Sequence, residues 1–448
     1  MFKVSKYFTL FAFTLLHFIP LRGESPKEAQ LSTLTLQQCV TRAIESNFSI
    51  LIEANRLEID RNNFNLEPFM PKISISSQLS DMTAERGDWS SPDQIERSSS
   101  RTTSLVNGAN LSWRLFDGLA MFATRERQRE ILKEGEFNFK MKSERLVMAI
   151  ASQFYQIITL HNQLELLKEV LAISQIRYNQ ALTRYNIGSD SGLEYKQAKI
   201  YLNSDSSSLM LQQERLKNGY IELYRLMNIP LDSKYILRDT IKPDPQLQFE
   251  ALLESSLQFN TELNALRVGE RLSEIDIKLV KGARYPVLDL LAGYNLNYNR
   301  SALFPSKFNE MNGPNWGVAL SLPIFAGGEI NRKIKNAKLY KENASMLVLD
   351  GEQQLESNLR QLYNLYRNNL RAIYFEEESR ESAYLNLEAA MEKYRLGALA
   401  GIEFRDYQIS YLTASDRKLK ALYDTKLSEI ELKLMAGELL IESLSTQK

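Results

Sequence analysis

Cysteine is nearly absent: Cys39 is the only one in 448 residues. No internal disulfide and no thiolate metal cluster can form, and no cysteine follows the apolar start of the chain to carry a lipid. Histidine is almost as scarce. Past the first residues only His161 remains, which removes most metal sites and the Ser/His and Cys/His chemistries. Proline is missing from 93–229 and again from 324–448, and a helix interior tolerates it poorly, at about 3 kcal/mol. No excess of one charge exists either: 55 basic residues balance 55 acidic ones, so no nucleic acid partner is signalled. No apolar run reaches the roughly 20 residues of a spanning helix. The longest, Phe8–Pro20, follows Lys3 and Lys6 and ends at Leu21-Arg22-Gly23, the layout of a secretory signal peptide over 1–23. An N-terminal anchor helix is the alternative, disfavoured by its length. No phosphate-binding Gly-x-x-x-x-Gly-Lys-Ser/Thr loop occurs, and nothing places a catalytic pair, so neither an enzyme nor a cofactor is expected.

What is present is one design written twice. Tyr185-Asn-Ile-Gly188-Ser-Asp-Ser-Gly192-Leu-Glu194-Tyr195 recurs as Tyr394-Arg-Leu-Gly397-Ala-Leu-Ala-Gly401-Ile-Glu403-Phe404. Phe116-Asp-Gly118 recurs as Phe325-Ala-Gly327, and both pairs of motifs are offset by 209 residues. Internal repetition at a fixed offset sets the architecture. The expected organisation is a first repeat over 35–229, a proline-bearing connector over 230–247 and a second repeat over 248–443. Each repeat reads helix, strand, loop, strand, very long helix, turn, long helix.

Apolar residues at Ile150, Phe154, Ile157, Leu164, Leu167 and Leu171 step by threes and fours, with one step of seven. Leu355, Leu359, Leu362, Tyr366 and Ile373, resuming at Tyr384, Leu387, Met391 and Tyr394, do the same. Each stripe is a seam that wants a partner helix. A continuous helix between Gly118 and Gly188 would run roughly 100 Å at 1.5 Å per residue, longer than a compact core needs. His161 falls between Ile157 and Leu164 and is read as a hydrogen-bonded seam residue. Cys39, on the stripe Leu36, Cys39, Val40, Ala43, is read as buried packing.

Four segments, about 71–82, 102–116, 286–299 and 315–325, alternate apolar and polar residues. Leu288, Leu290, Ala292, Tyr294, Leu296 and Tyr298 share one face, with Asp289, Asn295 and Asn297 on the other. Trp316, Val318, Leu320, Leu322 and Ile324 follow the same rule. So, more weakly, do Ile73, Ile75 and Leu79, then Leu105, Ala109, Leu111, Trp113 and Leu115. Such alternation over about ten residues marks a membrane barrel strand; an ordinary soluble sheet is the alternative. Four strands cannot close a barrel in lipid. Three chains would supply twelve, an even number in the known range.

The doubled layout, with Phe-x-Gly at each strand-to-helix junction and Tyr-x-x-Gly-x-x-x-Gly-x-Glu at each helical turn, resembles the TolC family of outer-membrane efflux proteins. The resemblance runs from Thr35 to about Ile441. It implies a fold mainly α with membrane β: long coiled-coil hairpins plus four strands per chain. It also implies a homotrimer with a twelve-stranded barrel in the outer membrane of a diderm bacterium and a periplasmic α-barrel. A periplasmic adaptor and an inner-membrane RND or ABC-type transporter are the implied partners, in efflux or type I secretion. A periplasmic coiled-coil adaptor or scaffold without a barrel is the competing reading.

The resemblance also assigns residues. Tyr185, Gly188, Gly192, Gly397 and Gly401, in the two turns, are candidates for adaptor docking, with plain helix capping as the alternative for each. Glu403 and Asp406 stand where the family carries acids that ring the pore entrance. An acid in the first turn of a helix is also favoured by the dipole, and the two readings stand level for this pair. For Glu194 the dipole reading is the stronger. Leu399 replaces a basic residue that closes the entrance in some members, so a charged lock is not expected there. A hydrogen bond from Tyr394 to Glu194 is the candidate substitute. Phe116, Gly118, Phe325 and Gly327 mark the junctions.

Overall fold

The computed structural model describes residues 32–88, 96–189, 192–237, 239–301 and 308–438. The signal peptide expected at 1–23 lies outside them. A short strand β1 (Ser32–Leu34) leads into helices α1 (Leu36–Ser46) and α2 (Phe48–Asn63), then strands β2 (Lys72–Asp88) and β3 (Glu96–Asp117). Helices α3 (Ala120–Asn186) and α4 (Leu193–Leu226) form the first long hairpin. After strand β4 (Tyr235–Leu237) the pattern repeats as α5 (Phe249–Phe259), α6 (Thr261–Gly282), β5 (Val287–Ser301), β6 (Phe308–Ser321), α7 (Glu329–Arg395) and α8 (Gly401–Met435).

Both α3 and α7 run 67 residues without a break, so each is about 100 Å long. Each follows a left-handed backbone step: Gly118 and Leu119 (φ 70° and 69°) before α3, Gly327 and Gly328 (φ 56° and 76°) before α7. Gly118 has a second constraint, since a Cβ there would lie 2.3 Å from the Gly282 carbonyl oxygen. The junction aromatics differ in setting. Phe116 is half-buried and Phe325 is 87% exposed.

The opening helix expected in each repeat is in fact two. Asn47 and Asn260 interrupt them, each with an extended ψ of 126° and a side chain that accepts an N–H of the next helix, from Ser49 and Leu263. Capping makes the break cheap. A second feature absent from the sequence reading is the parallel pairing of β1 with β4, Ser32 opposite Tyr235. It ties the connector to the start of the described chain.

The four long strands form one antiparallel sheet in the order β2-β3-β5-β6. Its register brings the apolar residues onto one face: Ile73 opposite Leu111, Leu111 opposite Ala292, Ala292 opposite Trp316. The other face carries Ser74, Asn110, Gly293 and Asn315 in a single row. Near the helices it carries an ion pair, Arg114 to Asp289 at 3.0 Å. The strands outrun their apolar alternation. β2 continues to Asp88, and the ion pair of Asp81 with Arg101, joined by Thr103, clamps the extension. Residues 308–314, expected as loop, pair with β5 instead; Pro314 is tolerated because β6 is an edge strand. Leu322 and Ile324 fall beyond the end of β6, just before and after Pro323, which cannot donate to a ladder.

The helices follow the same lateral order, α2 against α3, α3 against α6, α6 against α7. The main core lies where α1, α3, α4, β1 and β4 meet, around Ile150, Phe154, Ile157 and Leu223, all at most 1% exposed. Cys39 is sealed within it, and burial pushes its thiol up to about 12, so it packs and does not react. His161 departs from expectation: its side chain is 48% exposed, with Glu165 3.8 Å away as its charged neighbour. Beyond Leu164 the buried stripe of α3 turns to Leu166, Val170, Ile173 and Arg177, because α3 there packs against α7 and α8 instead of the main core.

Candidate functional site

At the end of the hairpins remote from the sheet, the two repeated motifs build the same turn. Gly188 (φ 78°) donates its N–H to the Tyr185 carbonyl while Ser189 donates to that of Arg184, each at 3.0 Å. Gly397 (φ 78°) donates to Tyr394 at 3.0 Å and Ala398 to Lys393 at 2.9 Å. This is the Schellman arrangement, in which a left-handed glycine satisfies the last carbonyls of a helix. The remaining glycines differ. Gly192 is left-handed (φ 82°) and its missing Cβ makes room for the Tyr185 ring, 2.8 Å away. Gly401 has no left-handed backbone. A Cβ there would meet Arg177 Nη2 at 2.7 Å and Glu194 Oε1 at 2.8 Å. It is small because two charged groups converge on it.

That convergence joins the hairpins. The Tyr394 hydroxyl, on α7, donates to Glu194 Oε1, on α4, at 2.7 Å. Arg184 Nη2, on α3, donates to the Tyr394 carbonyl at 2.7 Å, with its guanidinium 5.0 Å from the Tyr394 ring centre. Tyr394 is 2% exposed and stacks on Phe404 at 5.2 Å. Burial, and then the bond to Glu194, push its phenol up to about 12. Arg177, 3% exposed, lies 5.1 Å from the ring of Tyr201, 5.9 Å from Tyr394 and 6.0 Å from Phe404. Three aromatic faces thus stabilise its charge in place of water. Leu399 packs on the same cluster.

One helical turn further from the tip lies a second polar layer. Arg405 on α8 grips Asp205 on α4 with two hydrogen bonds, 2.7 and 2.8 Å. Ser174 donates to the same carboxylate at 2.5 Å. Gln408 donates to Ser174 at 2.8 Å and to the Val170 carbonyl at 3.0 Å, and accepts from Arg405 at 2.9 Å. A bidentate guanidinium–carboxylate pair, shielded from water and braced by a third group, fixes both distance and orientation between helices.

Not every expected site residue joins this cluster. Glu403 and Asp406 are exposed and turn away from it, each with a neighbour on α8 that turns inward: Phe404 and Arg405. Glu194 occupies the first turn of α4, as the dipole reading requires, and also takes the Tyr394 bond. Tyr185 is 47% exposed and stacks on Tyr195 at 5.4 Å. Around the turns Ile187, Leu193, Leu396 and Ile402 are each at least 65% exposed, an apolar rim. Sequence reasoning missed Arg177, Ser174 and Gln408. They occupy positions on the buried stripes of α3 and α8, so a polar residue at seam spacing was the available signal. Among the described residues no cluster of three or more His, Cys, Asp or Glu is placed to hold a metal, and no helix is long and apolar enough to cross a membrane.

Two rod-like hairpins capped by an antiparallel sheet, apolar on one face, are the protomer architecture of an outer-membrane efflux protein. The chain belongs to the outer membrane efflux protein family, whose model matches residues 41–228 and 252–438, and it is an outer-membrane protein with a large periplasmic part. It is 23% identical over 312 residues to the outer membrane protein TolC of Vibrio cholerae, covering 68% of this chain and 71% of that one. It is 20% identical over 361 residues to the alkaline protease secretion protein AprF of Pseudomonas aeruginosa, covering 80% and 73%. The Campylobacter jejuni CmeC outer membrane channel superposes with a TM-score of 0.72 at 16% identity, over 90% of this chain and 86% of that one.

Proposed function

We propose that three copies of the chain associate head to tail into a duct. It would passively conduct substrate from a periplasmic adaptor and an inner-membrane RND or ABC-type transporter to the exterior. One observation carries this reading: sheet and helices share the same lateral order and therefore the same two open sides. β2 and α2 form one side, β6 and α7 the other. Large exposed apolar residues stand on the helix of each side, Leu51, Ile52 and Ile59 on α2 and Leu339, Met346 and Leu349 on α7. Unlike edges that complement each other generate a ring when the rotation closes, and a sheet edge left open in lipid strands its amides. Three copies give a twelve-stranded barrel and a helical barrel below it. A scaffold without a barrel would leave the apolar sheet face in water.

The tip is the gate in this reading. Tyr394–Glu194, Arg184–Tyr394 and Arg405–Asp205 hold the second hairpin against the first, and opening swings it outward as a rigid body. The turns with Tyr185, Gly188, Gly192, Gly397 and Gly401 receive the adaptor, which biases that movement. Glu403 and Asp406, three copies each, form an acidic ring that attracts cations. Replacing both by amides should lower cation preference in a planar bilayer; unchanged selectivity would leave them only the dipole role. The assembly itself is tested by the mass of the full chain in detergent, where three chains and a heat-modifiable gel band are expected. A monomer whose strands wrap a water-soluble core would end the duct reading.

A further inference from the structure

Where sheet gives way to helices, the apolar sheet face continues into a groove between the end of α2 and the first turns of α3. Trp113, on that face beside Leu111, donates its indole N–H to the Phe69 carbonyl at 2.9 Å. The Phe69 ring meets Phe122 edge-on at 5.2 Å, and Phe122 is 59% exposed. Immediately below stand two guanidiniums. Arg125 and Arg129 lie 5.8 and 5.9 Å from the centre of the Phe64 ring. With Leu66, Phe69, Phe122 and Glu126 they line a cavity of about 270 Å³.

The charge in this groove is unbalanced. Glu126, the carboxylate among its lining residues, is engaged by Lys278 at 2.7 Å and Arg271 at 3.1 Å. Among the described residues neither Arg125 nor Arg129 has an ion-pair partner, and Arg125 Nε is buried without a hydrogen bond. Elsewhere on the same helices the guanidiniums near carboxylates pair with them, as Arg127 does with Asp276 at 2.9 Å.

We propose that this groove binds a phospholipid with a net negative headgroup, from the leaflet of the outer membrane that faces the periplasm. The acyl chains lie along Trp113, Phe69 and Phe122, and the phosphate rests on Arg125 and Arg129. The chemistry is complementary at both ends. Aromatic side chains at the edge of an apolar band mark the membrane interface. Guanidinium binds phosphate through paired donors, and cationic pockets at that depth select anionic headgroups. The groove lies between two consecutive helices of one chain, with walls continuous with the lipid-facing strands. The inference rests on the membrane reading of the sheet and adds a preference that the reading alone does not require.

The test uses the full chain in nanodiscs of phosphatidylcholine doped with phosphatidylglycerol, with retained lipids counted by native mass spectrometry. Phosphatidylglycerol should be retained several-fold above its share of the bilayer. Arg125→Gln with Arg129→Gln should abolish that enrichment at unchanged oligomeric mass, and the double Lys variant should keep most of it. Enrichment that survives the Gln pair, or is lost equally in the Lys pair, would overturn the proposal. So would displacement of the lipid by inorganic phosphate, which would make the groove a bare anion site. A change of oligomeric mass would overturn it in favour of a second copy of the chain. Failure to insert into nanodiscs would sink the membrane reading and this inference together. Insertion without anionic preference would sink this inference alone.

Discussion

The helices α3 and α7 have the same length, the same place in the repeat and the same left-handed entry, yet they live in different surroundings. Twenty-two residues of α3 are buried, including its seam from Ile150 to Ala181. Only nine of α7 are. The difference is topological. α3 lies inside the layer, with α2 and α6 on its flanks and α1, α4 and α8 against it, whereas α7 closes the layer on one side only. The chain has kept apolar residues on α7 where none of the described residues covers them, Leu339, Met346 and Leu349 among them. α3 is finished within one chain. In the proposed ring, α7 is finished by the next.

The comparison breaks most sharply under an inserted charge. Ile157 on α3 is 1% exposed, so Ile157→Asp buries a charge at a cost comparable to the roughly 5–15 kcal/mol that holds a domain together. Loss of the folded chain by circular dichroism is expected. On α7, Lys341, Ser345 and Glu352 bond to α6, which places Leu339 and Met346 on the opposite face of the helix. Leu339→Asp with Met346→Asp should keep full helicity and release folded monomers in light scattering. Helix loss there, or an intact assembly, would show that α7 is not the open side.

A smaller effect is expected at the polar layer that joins α3 and α4 to α8. Arg405→Leu leaves Asp205 buried and unpaired, at a cost of about 3–5 kcal/mol. Hydrogen exchange should then rise in 170–208 and 401–412 while the sheet end of both long helices stays protected. Arg405→Leu with Asp205→Leu should recover much of the loss, because an apolar pair needs no partner. If the double variant is as loose as the single one, the pair was not what held the hairpins.

How much of this was legible beforehand follows from range. The rods and their ends were, because proline avoidance, seam spacing and Tyr-x-x-Gly are local: the tyrosine is the residue whose carbonyl the left-handed glycine caps. The strands were legible only while side chains alternated. Beyond that, the ladder near Asp81 and Arg101 is held by backbone pairing, which leaves no period in the sequence. The breaks at Asn47 and Asn260 needed capping to be weighed against an apolar stripe that continues through them. The tip network was least legible. Asp205 and Arg405 lie 200 residues apart, and Arg177 or Gln408 alone looks like an interruption of a seam. Gly401 made sense only after Glu194 and Arg177 were seen to meet over it.

Tyr394 tests whether the end of α7 is held as firmly as that of α3. Tyr394→Phe deletes one bond to a carboxylate, worth about 1.5–3 kcal/mol, and should raise single-channel conductance in a planar bilayer; equal conductance would remove the bond from the proposed gate. In the wild type the phenol is neutral below its ordinary value near 10, and there the link is complete. Burial and Glu194 hold the proton up to about 12, so the stabilisation is lost as pH rises through that window. Conductance should climb across it in the wild type and stay level in the Phe variant.

The least effect is expected where burial of α3 has gone too far. Glu144, 8% exposed, accepts a hydrogen bond from Thr261 at 2.7 Å, with Lys140 at 3.8 Å. Burial dominates and holds its carboxyl above the usual 4.5. The folded state therefore binds this proton more tightly than the unfolded one. Stability is complete while both are protonated and declines as pH climbs from the unfolded value through the raised folded one. At neutral pH the folded protein carries the whole penalty. Glu144→Gln keeps an oxygen for Thr261 and has no charge to bury, so its thermal midpoint should exceed the wild type slightly at pH 7. The gain should vanish at pH 4, where the carboxyl of the wild type is protonated too. A loss at pH 7 would mean that Lys140 outweighs burial, and that α3 tolerates charge better than its exposure implies.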